Sequence, residues 1–164
     1  MHVRPLIALA LLWAISRPLL AVTSQSFQVS ANVTPGCLVS GGVSHYGTLD
    51  FGSHPAVTTD TVNIALSGGL QLQCTSGVTL TLLVDGGQHN TSGRHLQLGT
   101  SANRVSYQLF RDVGLSQTLG IGQSVAVTYS DANNIRLPIY AQVQLPGDQP
   151  VGIYRDVLLV QLSW

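Results

Sequence analysis

From residue 27 onward the chain alternates apolar and polar positions again and again with a period of two, the pattern of a strand with one buried face. The alternation is clear at Phe27, Val29, Ala31 and Val33, at Val62, Ile64 and Leu66, and at Leu70, Leu72 and Cys74. It returns at Val78, Leu80, Leu82 and Val84, at Val105, Tyr107 and Leu109, and at Val125, Val127 and Tyr129. Two longer runs follow, Ile135 to Leu145 and Ile153 to Trp164. Turn-forming clusters separate them: Thr34-Pro35-Gly36, Ser67-Gly68-Gly69, Ser76-Gly77, Asp85-Gly86-Gly87, the polar stretch Ser130 to Asn134, and Pro146-Gly147-Asp148. No segment beyond the N-terminal apolar run sustains a helical period, so no crossover helix is available to join parallel neighbours. The pattern predicts an all-β sandwich, with Leu66 to Val84 read as two hairpin connections in quick succession and Cys74 on the middle strand.

The two outermost runs are complementary. On Tyr154 to Trp164 one face carries Tyr154, Leu158, Val160, Leu162 and Trp164, while Val157 and Leu159 fall on the other beside Arg155, Gln161 and Ser163. An immunoglobulin-like sandwich normally closes with one more strand after such a segment, since an edge left open exposes backbone groups and apolar side chains. At the other end Phe27 to Val33 is a spare alternating strand whose second face holds Gln28, Ser30 and Asn32. The expectation is an incomplete sandwich whose groove is filled by a strand of another chain, the logic of a fibre subunit. Alternation alone fits equally a first and a last strand of a complete sandwich.

Met1 to Ala21 has the layout of a secretory signal: Arg4, an apolar run from Leu6 to Ile15, then Ser16-Arg17-Pro18 and a cut after Ala21. A run of about ten residues is too short to cross ~30 Å of hydrocarbon. The expected organisation is therefore a signal peptide at 1–21, an extension and linker at 22–36, and one domain at 37–164. Charged residues make up 9% of the chain and the formal net charge is zero. Such a surface offers no attraction to phosphate backbones, which excludes nucleic acid as the expected partner. The two cysteines, Cys37 and Cys74, are an even pair in an exported chain and read as a disulfide. Two cysteines without CxxC spacing make neither a closed zinc site nor a redox motif.

Candidate chemistry changes the picture little. His45, His54, His89 and His95 stand beside Gly, Pro, Ser and Asn, and no His-x-His or HExxH spacing sets two imidazoles on one element. There is no G-x-S-x-G elbow for a serine nucleophile. The acidic residues are all aspartates, placed mostly where they cap turns through local hydrogen bonds. Asn32-Val33-Thr34 and Asn90-Thr91-Ser92 match the short glycosylation pattern, and both read as incidental. The expectation is a protein that is not an enzyme and carries neither cofactor nor metal.

Several pieces, in order, resemble the spore coat protein U domain family, which includes subunits of archaic chaperone-usher pili. They are Phe27-x-Val29-x-Ala31-x-Val33-x-x-x-Cys37, Leu49-Asp50-Phe51-Gly52, Leu72-x-Cys74-Thr75-Ser76-Gly77, Asp85-x-Gly87, Tyr107-Gln108-Leu109-Phe110-Arg111-Asp112 and Gly152-x-Tyr154-x-Asp156. Leu119-Gly120 stands where many relatives carry Trp-Gly, and Phe110 where tyrosine is commoner. The resemblance implies an incomplete immunoglobulin-like β-sandwich completed by donor-strand exchange, a Cys37–Cys74 disulfide, and Phe27, Val29, Ala31 and Val33 as the donor strand. It implies Tyr154, Leu158, Val160, Leu162 and Trp164 as the acceptor edge. It also implies a periplasmic chaperone, an outer-membrane usher and neighbouring pilin subunits as partners, and a pilus at the cell surface serving attachment and biofilm formation. Alternatives are an adhesive tip or sugar-binding module, and a coat or matrix protein of the same fold.

Overall fold

In a computed structural model, residues 25–40, 46–68 and 71–164 are described; the expected signal peptide, 1–21, and Leu70 lie outside them. The chain divides into two units, Met1–Val33 and Thr34–Trp164. In the first, residues 25–33 carry no sheet pairing. The described residues of the second form eleven strands and no helix.

The strands are β1 (Cys37–Ser40), β2 (Thr61–Ala65), β3 (Gln71–Cys74), β4 (Leu80–Val84), β5 (Arg94–Leu98), β6 (Arg104–Phe110), β7 (Val125–Val127), β8 (Ile135–Arg136), β9 (Tyr140–Gln144), β10 (Tyr154–Arg155) and β11 (Val160–Ser163). All pairings are antiparallel: a five-stranded sheet in the order β10-β5-β6-β9-β2, and two three-stranded sheets, β1-β3-β8 and β11-β4-β7. Alternation does its expected work. Leu80, Leu82 and Val84 of β4, Val105, Tyr107 and Leu109 of β6, and Ala141 and Val143 of β9 are buried, and with Leu72, Cys74, Val125, Val127 and Ile135 they form one core shared by all three sheets. The fold is an all-β sandwich.

Three strand expectations are corrected. Leu66 to Val84 forms no hairpins, because β2 pairs with β9, β3 with β1 and β8, and β4 with β7 and β11. The groups a hairpin after Cys74 would use are already taken: Cys74 N donates to Ala132 O at 2.8 Å and Thr75 N to Gly36 O at 2.8 Å. The run Ile135 to Leu145 is two strands in different sheets, broken at Pro138, which has no N–H for a ladder. A tight turn there joins Ile139 N to Leu137 O at 3.0 Å.

The third correction matters most for function. Tyr154 to Trp164 is not one strand. Tyr154 and Arg155 pair with Leu98 and Gln97 in the five-stranded sheet, whereas Val160 to Ser163 pairs with Val84 to Thr81 in another. Between them Asp156 to Leu159 crosses from sheet to sheet, so Tyr154 does not share a strand face with Val160 and Leu162, and Trp164 lies one residue beyond β11.

An open sheet edge and its polar anchor as the candidate functional site

Among the described residues β11 is paired on one side only, to β4, and stands at the edge of its sheet. Leu158, Val160 and Leu162 point toward the core and pack against it, yet each remains only half-buried. A buried strand in a finished sheet looks different: in neighbouring β4, Leu82 and Val84 have no exposure at all. Apolar groups facing inward and still reached by water mark an edge that a further strand would cover. Trp164 is 56% exposed at the end of this edge.

A second edge faces the same region. Among the described residues β1 pairs only with β3, and its inward Cys37 and Val39 are likewise half-buried against the core. The two edges approach at their ends, where a Cβ on Gly36 would stand 3.6 Å from Trp164 Nε1. Cys37 and Cys74 are directly opposed in the β1–β3 register and are disulfide-bonded, which ties the β1 edge to the core strand behind it. Sequence reasoning passed over β1 as an edge; the signal was Cys37 and Val39 in phase, immediately after a Pro-Gly turn.

The crossing at Asp156 is held by side chains. Asp85 Oδ1 accepts from Leu159 N at 2.9 Å and from Gly87 N at 2.9 Å. Backbone bonds from Asp85 N to Leu159 O and from Gln88 N to Val157 O, each 3.1 Å, continue the β4–β11 contact past the regular ladder. Asp156 Oδ2 accepts from the Tyr107 hydroxyl at 2.7 Å, and its Oδ1 from His89 N at 3.2 Å. Gly87 has φ +82, and a Cβ there would lie 2.0 Å from Asp156 Oδ2, so only glycine lets the carboxylate in.

Next to this pair lies Arg94, the one charged residue in the core among the described residues. Its guanidinium donates to four carbonyls: Leu119 O at 2.7 Å, Asp85 O at 2.9 Å, Val84 O at 3.1 Å and Gly120 O at 3.2 Å. Burial lowers its pKa from the ordinary arginine value, an effect opposed by Tyr107, Asp85 and Asp156. Burial raises the Tyr107 pKa, and the hydrogen bond to Asp156 and the charge of that carboxylate raise it further. Sequence reading missed Arg94; its signal was an arginine in phase with Leu96, which packs against the core.

Of the other residues singled out in the sequence, Phe27, Val29 and Val33 are 85%, 82% and 90% exposed, and Ala31 is exposed as well. His54 bonds to the Phe51 carbonyl within its own loop, and His95, on β5, bonds to the carbonyl of Gly93 just before that strand. His45 lies outside the described residues.

The sequence model of the Spore Coat Protein U domain family matches residues 23–161. The chain belongs to this family. In this Spore Coat Protein U domain Asp85, Gly87, Tyr107 and Asp156 form one cluster, with the Phe51 ring edge-on to Tyr107 at 6.3 Å. Leu119 and Phe110 are both buried. No curated protein sequence matches the chain. Among solved structures it is similar to a chain of the CsuC–CsuE chaperone–tip adhesion subunit pre-assembly complex, from archaic chaperone-usher Csu pili of Acinetobacter baumannii. Identity is 13% and the TM-score 0.55, over 80% of this chain and 40% of that one, so the likeness is one of fold.

Proposed function

We propose that the chain is a structural subunit of a chaperone-usher pilus, joined to its neighbours by donor-strand complementation. The observation that carries this reading is the half-buried apolar face of β11, an edge paired on one side only, with the β1 edge approaching it at Gly36 and Trp164. A strand laid along that edge gains backbone hydrogen bonds and buries alternate side chains. Residues 27–33 have the chemistry for this on a neighbouring subunit. Burying Phe27, Val29 and Val33 at roughly 1.5–3 kcal/mol each supplies about 5–9 kcal/mol before ordering costs.

Before assembly the same edge needs a temporary cover, the task of a periplasmic chaperone that lends a strand. An outer-membrane usher then exchanges that strand for the next subunit's, and the fibre is displayed at the cell surface for attachment and biofilm formation. Family membership and a fold shared with a chaperone–subunit complex support the chaperone partner.

The test is expression of the full chain in the periplasm with and without a periplasmic chaperone of the archaic chaperone-usher class. The reading expects soluble subunit only with the chaperone, as a one-to-one complex. A stable, monodisperse monomer made without any chaperone, and with residues 25–33 still accessible to protease, contradicts it.

A further inference from the structure

The apolar pattern of β11 fixes which face turns inward but not which residue sits opposite which. Leu158, Val160, Leu162 and Trp164 repeat every two residues, and so do Leu80, Leu82 and Val84 on β4. Sliding β11 by two residues, about 6.8 Å, keeps every apolar side chain on its face. In one such slide Leu158, Val160 and Leu162 would meet Val84, Leu82 and Leu80 in place of the observed pairs Val160 with Val84 and Leu162 with Leu82. Hydrophobic burial hardly distinguishes the two arrangements.

The polar anchor does distinguish them. Asp85 Oδ1 reaches Leu159 N only in the observed register, at 2.9 Å, with Asp85 N and Leu159 O bonded in return. Asp156, three residues before, is held independently by the Tyr107 hydroxyl of β6 and by His89 N. A slide of β11 would have to pull Asp156 out of the slot that Gly87 leaves for it. Arg94 fixes the other side of the contact by binding the carbonyls of Val84 and Asp85, at the end of β4. The hydroxyl contact of Thr81 with Ser163 also favours the observed register, but it is exposed and water can replace it.

The geometry points to Asp85 and Asp156 as positioning residues that set the register of the open edge strand. The consequence for assembly rests on the strand-donation reading above. A donor with the period-two pattern of residues 27–33 can itself dock in several registers, so the pockets it meets are defined only if β11 is fixed. The register itself is a property of one chain and holds or fails whether or not the chain polymerises.

The test uses cysteine pairs in the full exported chain, oxidised and read by peptide mass spectrometry. Thr81→Cys with Ser163→Cys reports the observed register, and Thr81→Cys with Gln161→Cys reports the two-residue slide. With the anchor intact only the first pair should cross-link. With Asp85→Ala and Asp156→Ala together, the second should rise by at least about tenfold, because one hydrogen bond to a charged group already biases an equilibrium by that much. Asp85→Asn keeps the acceptor Oδ1 and should cross-link like the parent, a rescue that a general loss of stability would not produce. A folded double-alanine variant whose second pair stays at the parent level overturns the proposal. Should that variant fail to fold, Asp85→Ala with Tyr107→Phe, which removes the acceptor for Leu159 N and the hydroxyl that holds Asp156 Oδ2, decides: a rise in the second pair supports the anchor, and no rise overturns it.

Discussion

Replacing Arg94 by methionine should destabilise the domain by about 3 kcal/mol, even though it removes a buried charge and keeps an apolar side chain of similar length. The guanidinium recovers its hydration on unfolding, so its own burial opposes folding. Its carbonyl partners decide the balance. Val84 O keeps a second donor, Gly122 N at 2.9 Å, but the bonds at Leu119 O, Asp85 O and Gly120 O have no replacement in the side chain of methionine. The bond to Leu119 O is fully buried, while those to Asp85 O and Gly120 O are part-buried. One orphaned buried carbonyl at about 1–3 kcal/mol and two partly hydrated ones at roughly half of that come to about 4 kcal/mol, which relief of the guanidinium's own burial lowers to the stated figure. In a domain of this size it lowers Tm by about 10 °C. Arg94→Lys should recover little of it, since one ammonium cannot span four carbonyls. Urea unfolding of the full chain reads the change, with a synthetic peptide of residues 25–36 saturating in both proteins so that its stabilisation cancels. A methionine variant within about 0.5 kcal/mol of the parent would refute the reasoning, because surface substitutions do no more than that.

Gly87 and Gly77 both have φ +82, but a Cβ at Gly77 meets nothing within 4 Å while one at Gly87 meets Asp156 Oδ2 at 2.0 Å. Gly77→Ala should therefore lower stability by only about 1–2 kcal/mol of backbone strain, and Gly87→Ala by clearly more, measured as urea midpoints. The raised pKa of Tyr107 lies above its unfolded value of about 10, so its contribution is complete below pH ~10 and falls away as pH rises further. Tyr107→Phe should accordingly be less stable at neutral pH and lose less stability than the parent across that alkaline window. Removing the disulfide by Cys37→Ala with Cys74→Ala opens a loop of sequence separation 37 and should reduce stability by about 4 kcal/mol, seen as a fall in the same midpoints.

The sandwich class was legible because β4 and β6 carry clean alternations whose inward positions are indeed buried. The sheet order was not. β2, β3 and β4 follow one another closely in sequence, yet each pairs with strands far away, and nothing in their turns announces those partners. The C-terminal run shows the limit most clearly: its alternation continues across Asp156, so periodicity reads one strand where hydrogen bonds to Asp85 and Asp156 carry the chain from one sheet to another. The apolar face of the open edge, Leu158 to Leu162, could be read from pattern. The anchor beneath it could not, because it joins residues from four separate stretches of the chain whose side chains meet only in the folded domain.

The central claim, that residues 27–33 complete the open edge of a neighbouring subunit, is tested most directly by polymerisation of Val29→Asp beside Ser30→Asp in cells that also make the chaperone and usher. A carboxylate pressed into an apolar groove loses hydration that nothing replaces, whereas the same group one residue away stays in water. The account predicts that Val29→Asp is captured by the chaperone as well as the parent but yields no fibre, and that Ser30→Asp polymerises normally. Equal behaviour of the two in polymerisation, or loss of the chaperone-bound subunit with Val29→Asp, would contradict it.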